Sequence, residues 1–536
     1  MTRRPITALA LGLAGLLAAA CHPAATVAPF PPMVAPAPTT APRGGLTDAP
    51  RNWQLLDETL DHVPGIGIDR LQREILHGAA PKGTVIVAVI DGGVDTAHAD
   101  LRANLWQRPA DAPPDGHSGE RFGWNFIGGA DGRDVNRDTY ELTRIVARCR
   151  RSDSTLPSAL ATRCPQLTAD LATRRRNLET QLRNIRTVGD SLARIWSTLR
   201  RATGTDSLTM DRVKALTPTD TVIARYRKIY LAVTPLGLTE AGLRDATTSF
   251  RTGLDASLNP DFDPRPVVGD HYADVHESMY GNPDVMGPDA SHGTHVSGII
   301  GAVQGNGIGI DGIAPAVRVM MIRAVPNGDE RDKDIANAIR FAVDHGARII
   351  NMSFGKGYSP EKPAVDAAVR YADAHNVLMV HAAGNDGANL DSVPGFPTPI
   401  YADSGAAHNW IEVGASSWIG GDSLVAPFSN YGRERVDVFA PGVDITSTVP
   451  GNQYEKESGT SMATPVVAGL AALILDYYPD LTASQLRQVI LTSATRYTNQ
   501  LVIRPGSKDV RVPFGSLSRT GGIVDAYEAF RLLQTR

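Results

Sequence analysis

"TVIVAVID", residues 84–91, is an apolar run, broken by nothing but its first threonine, that ends on a carboxylate. A strand covered on both faces reads as continuously hydrophobic, whereas a half-exposed one alternates. The same signature returns in "VRVMMIRAV" (317–325), "ARIINMSFG" (347–355), "NVLMVHAAGN" (376–385), "WIEVGAS" (410–416) and "VDVFAPG" (436–442). Helical patterns fill the intervals, near 293–303, 332–345, 361–375, 462–477 and 483–494. Buried strands alternating with helices predict an α/β fold, a parallel sheet flanked by helices on both faces. In such sheets functional groups gather beyond the carboxyl ends of the strands, where Asp91 and Asn385 stand.

A second stretch, "SGTSMATPVVAGLAALIL" (Ser458–Leu475), is apolar or glycine throughout from Val466 to its end. That pattern predicts a helix buried all round. Ser461, near its start, has two readings: a cap that satisfies unpaired N–H groups, or a nucleophile. Pro465 fits either, since the first helical turn has no intrahelical partners to lose.

The 536 residues suffice for two or three domains, and the formal charge of −4 argues neither for nor against a nucleic-acid partner; none is expected. Arg3 and Arg4 precede an apolar run, Ile6–Ala20, which reads as a secretory signal over 1–20. Cys21 follows three alanines, an arrangement that resembles a bacterial lipoprotein cleavage box, with Leu17 one place further from the cysteine than usual. The expectation is a lipid anchor at Cys21 holding the protein in the cell envelope; the alternative is ordinary cleavage and a soluble secreted protein. Residues 22–50 hold eight prolines and seven alanines, the composition of an extended spacer, so 21–50 reads as a tether. Residues 51–80 read as an N-terminal extension wrapping onto the main body. In an exported chain, Cys149 and Cys164 are expected to form a disulfide.

Residues 141–258 interrupt the α/β pattern. Leu171, Leu178, Leu182, Ile185, Val188, Leu192, Ile195 and Leu199 recur at steps of three, four and seven, predicting a long amphipathic helix. Further helices are expected at about 208–232 and 238–256. Residues 141–250 carry a net charge of +9, leaving −13 on the remainder. A basic arm of this kind serves either a partner or its own acidic body; the second reading is favoured, because charge runs are usually solvated faces. The main body is then 81–140 and 259–536.

Three strings carry the chemistry: "VIVAVIDGGVDTAHADL" with Asp91, "SHGTHVSGIIGA" with His292, and "GTSMATPVVAG" with Ser461. A serine hydroxyl needs a base to take its proton, imidazole has a suitable pKa, and a carboxylate fixes the imidazole's tautomer. "HGTHVSG" (292–298) and "GTSMATP" (459–465) resemble the two most specific strings of the subtilisin-like serine peptidase family. "VAVIDGGVD" (87–95), "GIAPAVRVMMIRAV" (312–325) and "IINMSFG" (349–355) are similar to its other segments, and the order Asp, His, Ser is the family's.

The resemblance implies a subtilisin-like fold and a serine endopeptidase acting on polypeptides. Ser461 would be the nucleophile, His292 the general base and acid, and Asp91 its orienter. "AAGNDG" (382–387) matches the family's oxyanion segment, which implies that Asn385 and the Ser461 backbone N–H would bind the oxyanion. By matching position, Ser353, Phe354 and Gly355 with Ala382, Ala383 and Gly384 would line the first specificity pocket, open and broadly hydrophobic. His381, just before that run, is unusual in an apolar strand, and its plain reading is a packed strand residue. No cofactor or metal is expected, with a structural calcium ion as the one addition the resemblance allows. "DGRDVNRDTYE" offers Asp131, Asp134, Asn136 and Asp138 but lacks the glycine and terminal glutamate of an EF-hand loop, and reads as an acidic solvated loop. The rival reading is a lipoprotein scaffold whose peptidase site is idle or masked.

Overall fold

In the computed structural model of the protein, which describes residues 46–535, seven strands build the centre of one sheet. They are β1 (Val85–Asp91), β2 (Gly123–Asn125), β3 (Val317–Arg323), β4 (Ile349–Met352), β5 (Leu378–Ala382), β6 (Trp410–Ser416) and β7 (Val438–Pro441). Their spatial order is β2-β3-β1-β4-β5-β6-β7, extended by the short strands Gly522–Ile523 and Thr495–Arg496. Every ladder is parallel except the last, between those two short strands. The predicted fold class therefore holds, and β6 spans the predicted residues. A hairpin of β8 (Ile445–Val449) and β9 (Gln453–Glu457) stands apart from the sheet.

The continuous apolar strands have a two-sided explanation. Val87 and Val89 of β1 enter one core, and Ala88 and Ile90 enter the other. The first core is shared with the helices Ser291–Gly301, Thr460–Tyr477 and Ala483–Ser493, the second with Asp332–Asp344 and Lys362–Ala374. Helix Thr460–Tyr477 has the length and composition to cross a bilayer, yet 94% of it is buried inside the protein. It is the core helix that the apolar run predicted.

The segment from Trp53 to Leu76 lies on the main body. The Trp53 indole N–H donates to Val443 O at 2.9 Å, and Trp53, Ile66 and Leu71 are fully buried in the first core. The signal segment, Cys21 and the tether up to residue 45 lie outside the described residues.

Between residues 141 and 258 the chain is helical. Helix Glu141–Arg150 is followed by a single helix of 40 residues, Cys164–Thr203, about 60 Å long. Thr221–Val233 and Glu240–Thr252 pack against it. Buried leucines fall into two small clusters, one at the root around Leu142, Leu167 and Leu171, the other at the tip around Leu192, Trp196 and Leu199. Val188, between them, is 39% exposed, so the predicted stripe is interrupted there. The expected helix at 208–232 is two helices, Met210–Ala215 and Thr221–Val233, because Pro218 lacks the N–H needed for continuity.

Candidate active site

Asp91 ends β1 and is 2% exposed. Its two carboxylate oxygens each lie 2.9 Å from His292 Nδ1, and Gly92 N–H donates to Oδ1 at 2.7 Å. Those contacts hold the ring proton on Nδ1 and leave Nε2 for another partner. His292 is the second residue of its helix, which comes this close to β1 because Gly293 has no side chain: a Cβ there would meet Gly93 O at 2.2 Å. Burial acts to lower the imidazole pKa, but the charge and hydrogen bond of Asp91, with Glu457 and Asp289 adding to them, raise it from 6.5 to about 9. The second histidine of the string, His295, behaves oppositely. Burial depresses it to about 4, and its Nε2 donates to Ile445 O and Glu455 O at 3.1 and 3.2 Å, tying the helix to the β8–β9 hairpin.

Ser461 is the second residue of helix Thr460–Tyr477, and the N-cap is Gly459, which has no side chain to cap with. Ser461 is therefore not the cap. Asn385, three residues beyond β5, accepts at Oδ1 from Thr460 N–H (2.9 Å) and Thr460 Oγ1–H (3.0 Å). Thr460 Oγ1 in turn accepts from Gly384 N–H at 3.1 Å. With its oxygen committed, the Asn385 amide must point Nδ2 the other way. A methyl group placed on Gly459 would stand 3.5 Å from Ser461 N and 3.6 Å from Asn385 Nδ2, so both donors border one small space that glycine leaves open. The helix's positive end lies at the same place.

Pro465 sits inside the helix, not in its first turn, and cannot donate to the carbonyl four residues back, that of Ser461. Ser353 makes good the loss: its hydroxyl donates to Ser461 O at 2.9 Å, while Ser461 Oγ–H donates to Ser353 O at 3.1 Å. Asn351 Nδ2 holds the Ser353 hydroxyl at 3.0 Å. Among the described residues, Ser461 Oγ has no hydrogen bond to His292. The helices that carry the two residues pack against each other.

A cavity of about 730 Å³ opens over this region, lined by Ser461, Asn385 and all six residues expected at the specificity pocket. Tyr140, Leu142 and Arg174 close part of it, so the helical insertion forms one wall. Lys356 fixes that wall: buried behind the pocket, it pairs with Glu141 (2.9 Å) and Asp332 (2.7 Å). Sequence reasoning missed Lys356, and also a buried His381–Glu412 pair on the same cavity. A histidine inside an otherwise apolar strand was the available signal.

Cys149 and Cys164 are disulfide-bonded, with Cα atoms 5.7 Å apart, and fasten the root of the insertion. The carboxylates of the acidic run 131–138 have partners within the protein. Asp131 takes Arg133, Asp134 takes Asn125, and Asp138 takes Arg331, each through a side-chain N–H. Asp115, Glu120 and His345 cluster within 4.8 Å, and Arg108 donates to both carboxylates and offsets one of their two charges.

A model described as the subtilase family matches residues 82–512. The chain is 41% identical over 224 residues to a thermophilic serine proteinase of Bacillus sp. (strain AK1), a match covering 42% of this chain and 50% of that protein. It is 38% identical over 226 residues to subtilisin E of Bacillus subtilis (strain 168), covering 41% and 55% respectively. A protease of Pseudoalteromonas arctica of known structure is 19% identical, with 90% of this chain and 98% of that one covered at a TM-score of 0.47. The matches span about half the length of the first two relatives. With four fifths of its length matched by the family model, the chain belongs to the subtilase family.

Proposed function

We propose that the protein is a serine endopeptidase, exported and anchored in the cell envelope through a lipid on Cys21. The observation that carries the catalytic reading is the Asp91 carboxylate straddling His292 Nδ1, which leaves Nε2 as a base for a hydroxyl. Ser461 is the nucleophile. Its hydroxyl rests on Ser353 O and turns to His292 when substrate arrives; catalytic hydrogen bonds commonly tighten only at that stage. His292 takes the Ser461 proton as Oγ attacks the peptide carbonyl. Asn385 Nδ2 and Ser461 N–H stabilise the oxyanion, and His292 returns the proton to the departing amine. Water then repeats the sequence on the acyl-enzyme.

The proposed division is a signal over 1–20, a tether over 21–50, an extension over 51–80, a catalytic body over 81–140 and 259–536, and an insertion over 141–258. A fluorophosphonate probe tests the catalytic assignment. Labelling of the full chain that Ser461→Ala abolishes supports it. A folded native protein that takes no label refutes it in favour of the scaffold alternative. For the anchor, incorporation of labelled fatty acid should disappear in Cys21→Ser, and incorporation that persists refutes Cys21 as the site.

A further inference from the structure

His381 and Glu412 face each other across β5 and β6 in register. His381 Nδ1 lies 2.9 Å from Glu412 Oε1, and the Trp410 indole N–H donates to Oε2 at 2.8 Å. With both oxygens of the carboxylate engaged as acceptors, the imidazole proton is held on Nδ1 and Nε2 presents a lone pair. His381 is only 3% exposed, and among the described residues Nε2 has no hydrogen-bond partner. A Cβ on Gly355 would stand 3.7 Å from Nε2, which places this nitrogen on the Gly355 side of the strand, where the cavity shared with Ser461 is found.

We propose, resting on the peptidase reading, that His381 and Glu412 determine specificity for the residue on the amino side of the cleaved bond, and that they select tyrosine. Among the residues that line the cavity with His381, Phe354, Phe396, Pro397, Ala382 and Ala383 offer apolar surface, and the Phe354 ring stands edge-on to the imidazole. A planar apolar body with one hydroxyl at its tip matches apolar surface of this kind beside the single lone pair of Nε2. An ammonium brings three donors and a guanidinium five, more than one lone pair satisfies. Phenylalanine fits the walls but leaves Nε2 buried without a partner, and sites built around a substrate hydroxyl discriminate strongly against its absence. The small residues of the sequence implied an open, broadly hydrophobic pocket; the imidazole adds a polar floor.

The test uses the full chain carrying Ser461→Ala, so that binding is read without turnover. Calorimetry compares the peptides Ala-Ala-Pro-Tyr and Ala-Ala-Pro-Phe, with tyrosine expected to bind about tenfold more tightly. Adding His381→Ala should bring the ratio near one. So should His381→Leu with Glu412→Leu, which removes the polar pair together and leaves no lone carboxylate buried. Equal binding in the parent, or a tyrosine preference that survives both changes, overturns the proposal. A tyrosine preference lost in the variants, in a native protein that takes no fluorophosphonate, leaves this recognition standing and removes only the hydrolytic reading.

Discussion

Replacing Gly459 with alanine adds one methyl group to the space between the Ser461 backbone N–H and Asn385 Nδ2. The methyl carbon would stand 3.5 and 3.6 Å from those nitrogens and 3.7 Å from Met462 Sδ, all ordinary contact distances. Gly459 has φ 169° and ψ 162°, an extended backbone that alanine adopts freely. The fold should therefore tolerate the change, with stability unchanged or raised by about 0.4–1 kcal/mol through the less flexible unfolded chain. The chemistry should not tolerate it. An oxyanion must come within about 2.7–3.1 Å of each donor, so a methyl group bordering both competes for the same volume. The expected loss in kcat is about 10²–10³-fold, the range for removing one oxyanion donor, equivalent to about 2.7–4 kcal/mol of transition-state stabilisation. The assay is steady-state hydrolysis of a peptide p-nitroanilide, run beside thermal unfolding of the same preparation. A folded Gly459→Ala protein whose kcat stays within about threefold of the parent would refute the assignment of this space to the oxyanion.

Three further outcomes follow from the same geometry. His292 must be neutral to act as a base, and its pKa is raised to about 9, so kcat/KM should climb as pH rises from 6.5 toward that value; Glu457→Gln removes one raising charge and should move the limb to lower pH, whereas an unmoved limb contradicts the coupling. Ser353→Ala strips the Ser461 carbonyl of the donor that replaces the N–H missing from Pro465, and should lower stability by about 1–3 kcal/mol in denaturant titration. Cys149→Ser opens a loop closed over a separation of 15 residues, worth about 3 kcal/mol by loop entropy, and should show as faster amide exchange confined to the insertion root around Leu142, Leu167 and Leu171, not in the sheet.

Much of this arrangement is legible in the sequence. β1 and β3 to β7 were legible because parallel strands covered on both faces are apolar without interruption, and the helices between them began and ended within two or three residues of expectation. β2 was not, since three residues show no period, and β9 was not, because "QYEKE" lies largely exposed and reads as loop. Asp91, His292 and Ser461 announced themselves through strings of unusual composition. The bonds that orient them did not. That Ser353 would answer the carbonyl freed by Pro465, or that Thr460 would turn the Asn385 amide, depends on partners 108 and 75 residues away in the chain. His381 was visible as an oddity, but a strand buried on both sides gives no clue to which face a given residue joins. Only the pairing with Glu412 settles that.

The contacts of the N-terminal segment also bear on how the molecule comes together and how long it lasts. Trp53 donates to a carbonyl 390 residues away, Ile66 O accepts from Ala526 N–H at 2.7 Å, and Tyr477 donates to Ala79 O at 2.9 Å. The first layer of the core thus stays unfinished until residue 526 has been made, and a topology so rich in distant contacts folds slowly. The same property works in reverse once folding is complete. Local fraying of this core at one end meets resistance from the other, so opening the first core is a large, concerted event. Under the proposed peptidase reading, survival time among other copies is then set by the height of that barrier more than by the depth of the native well.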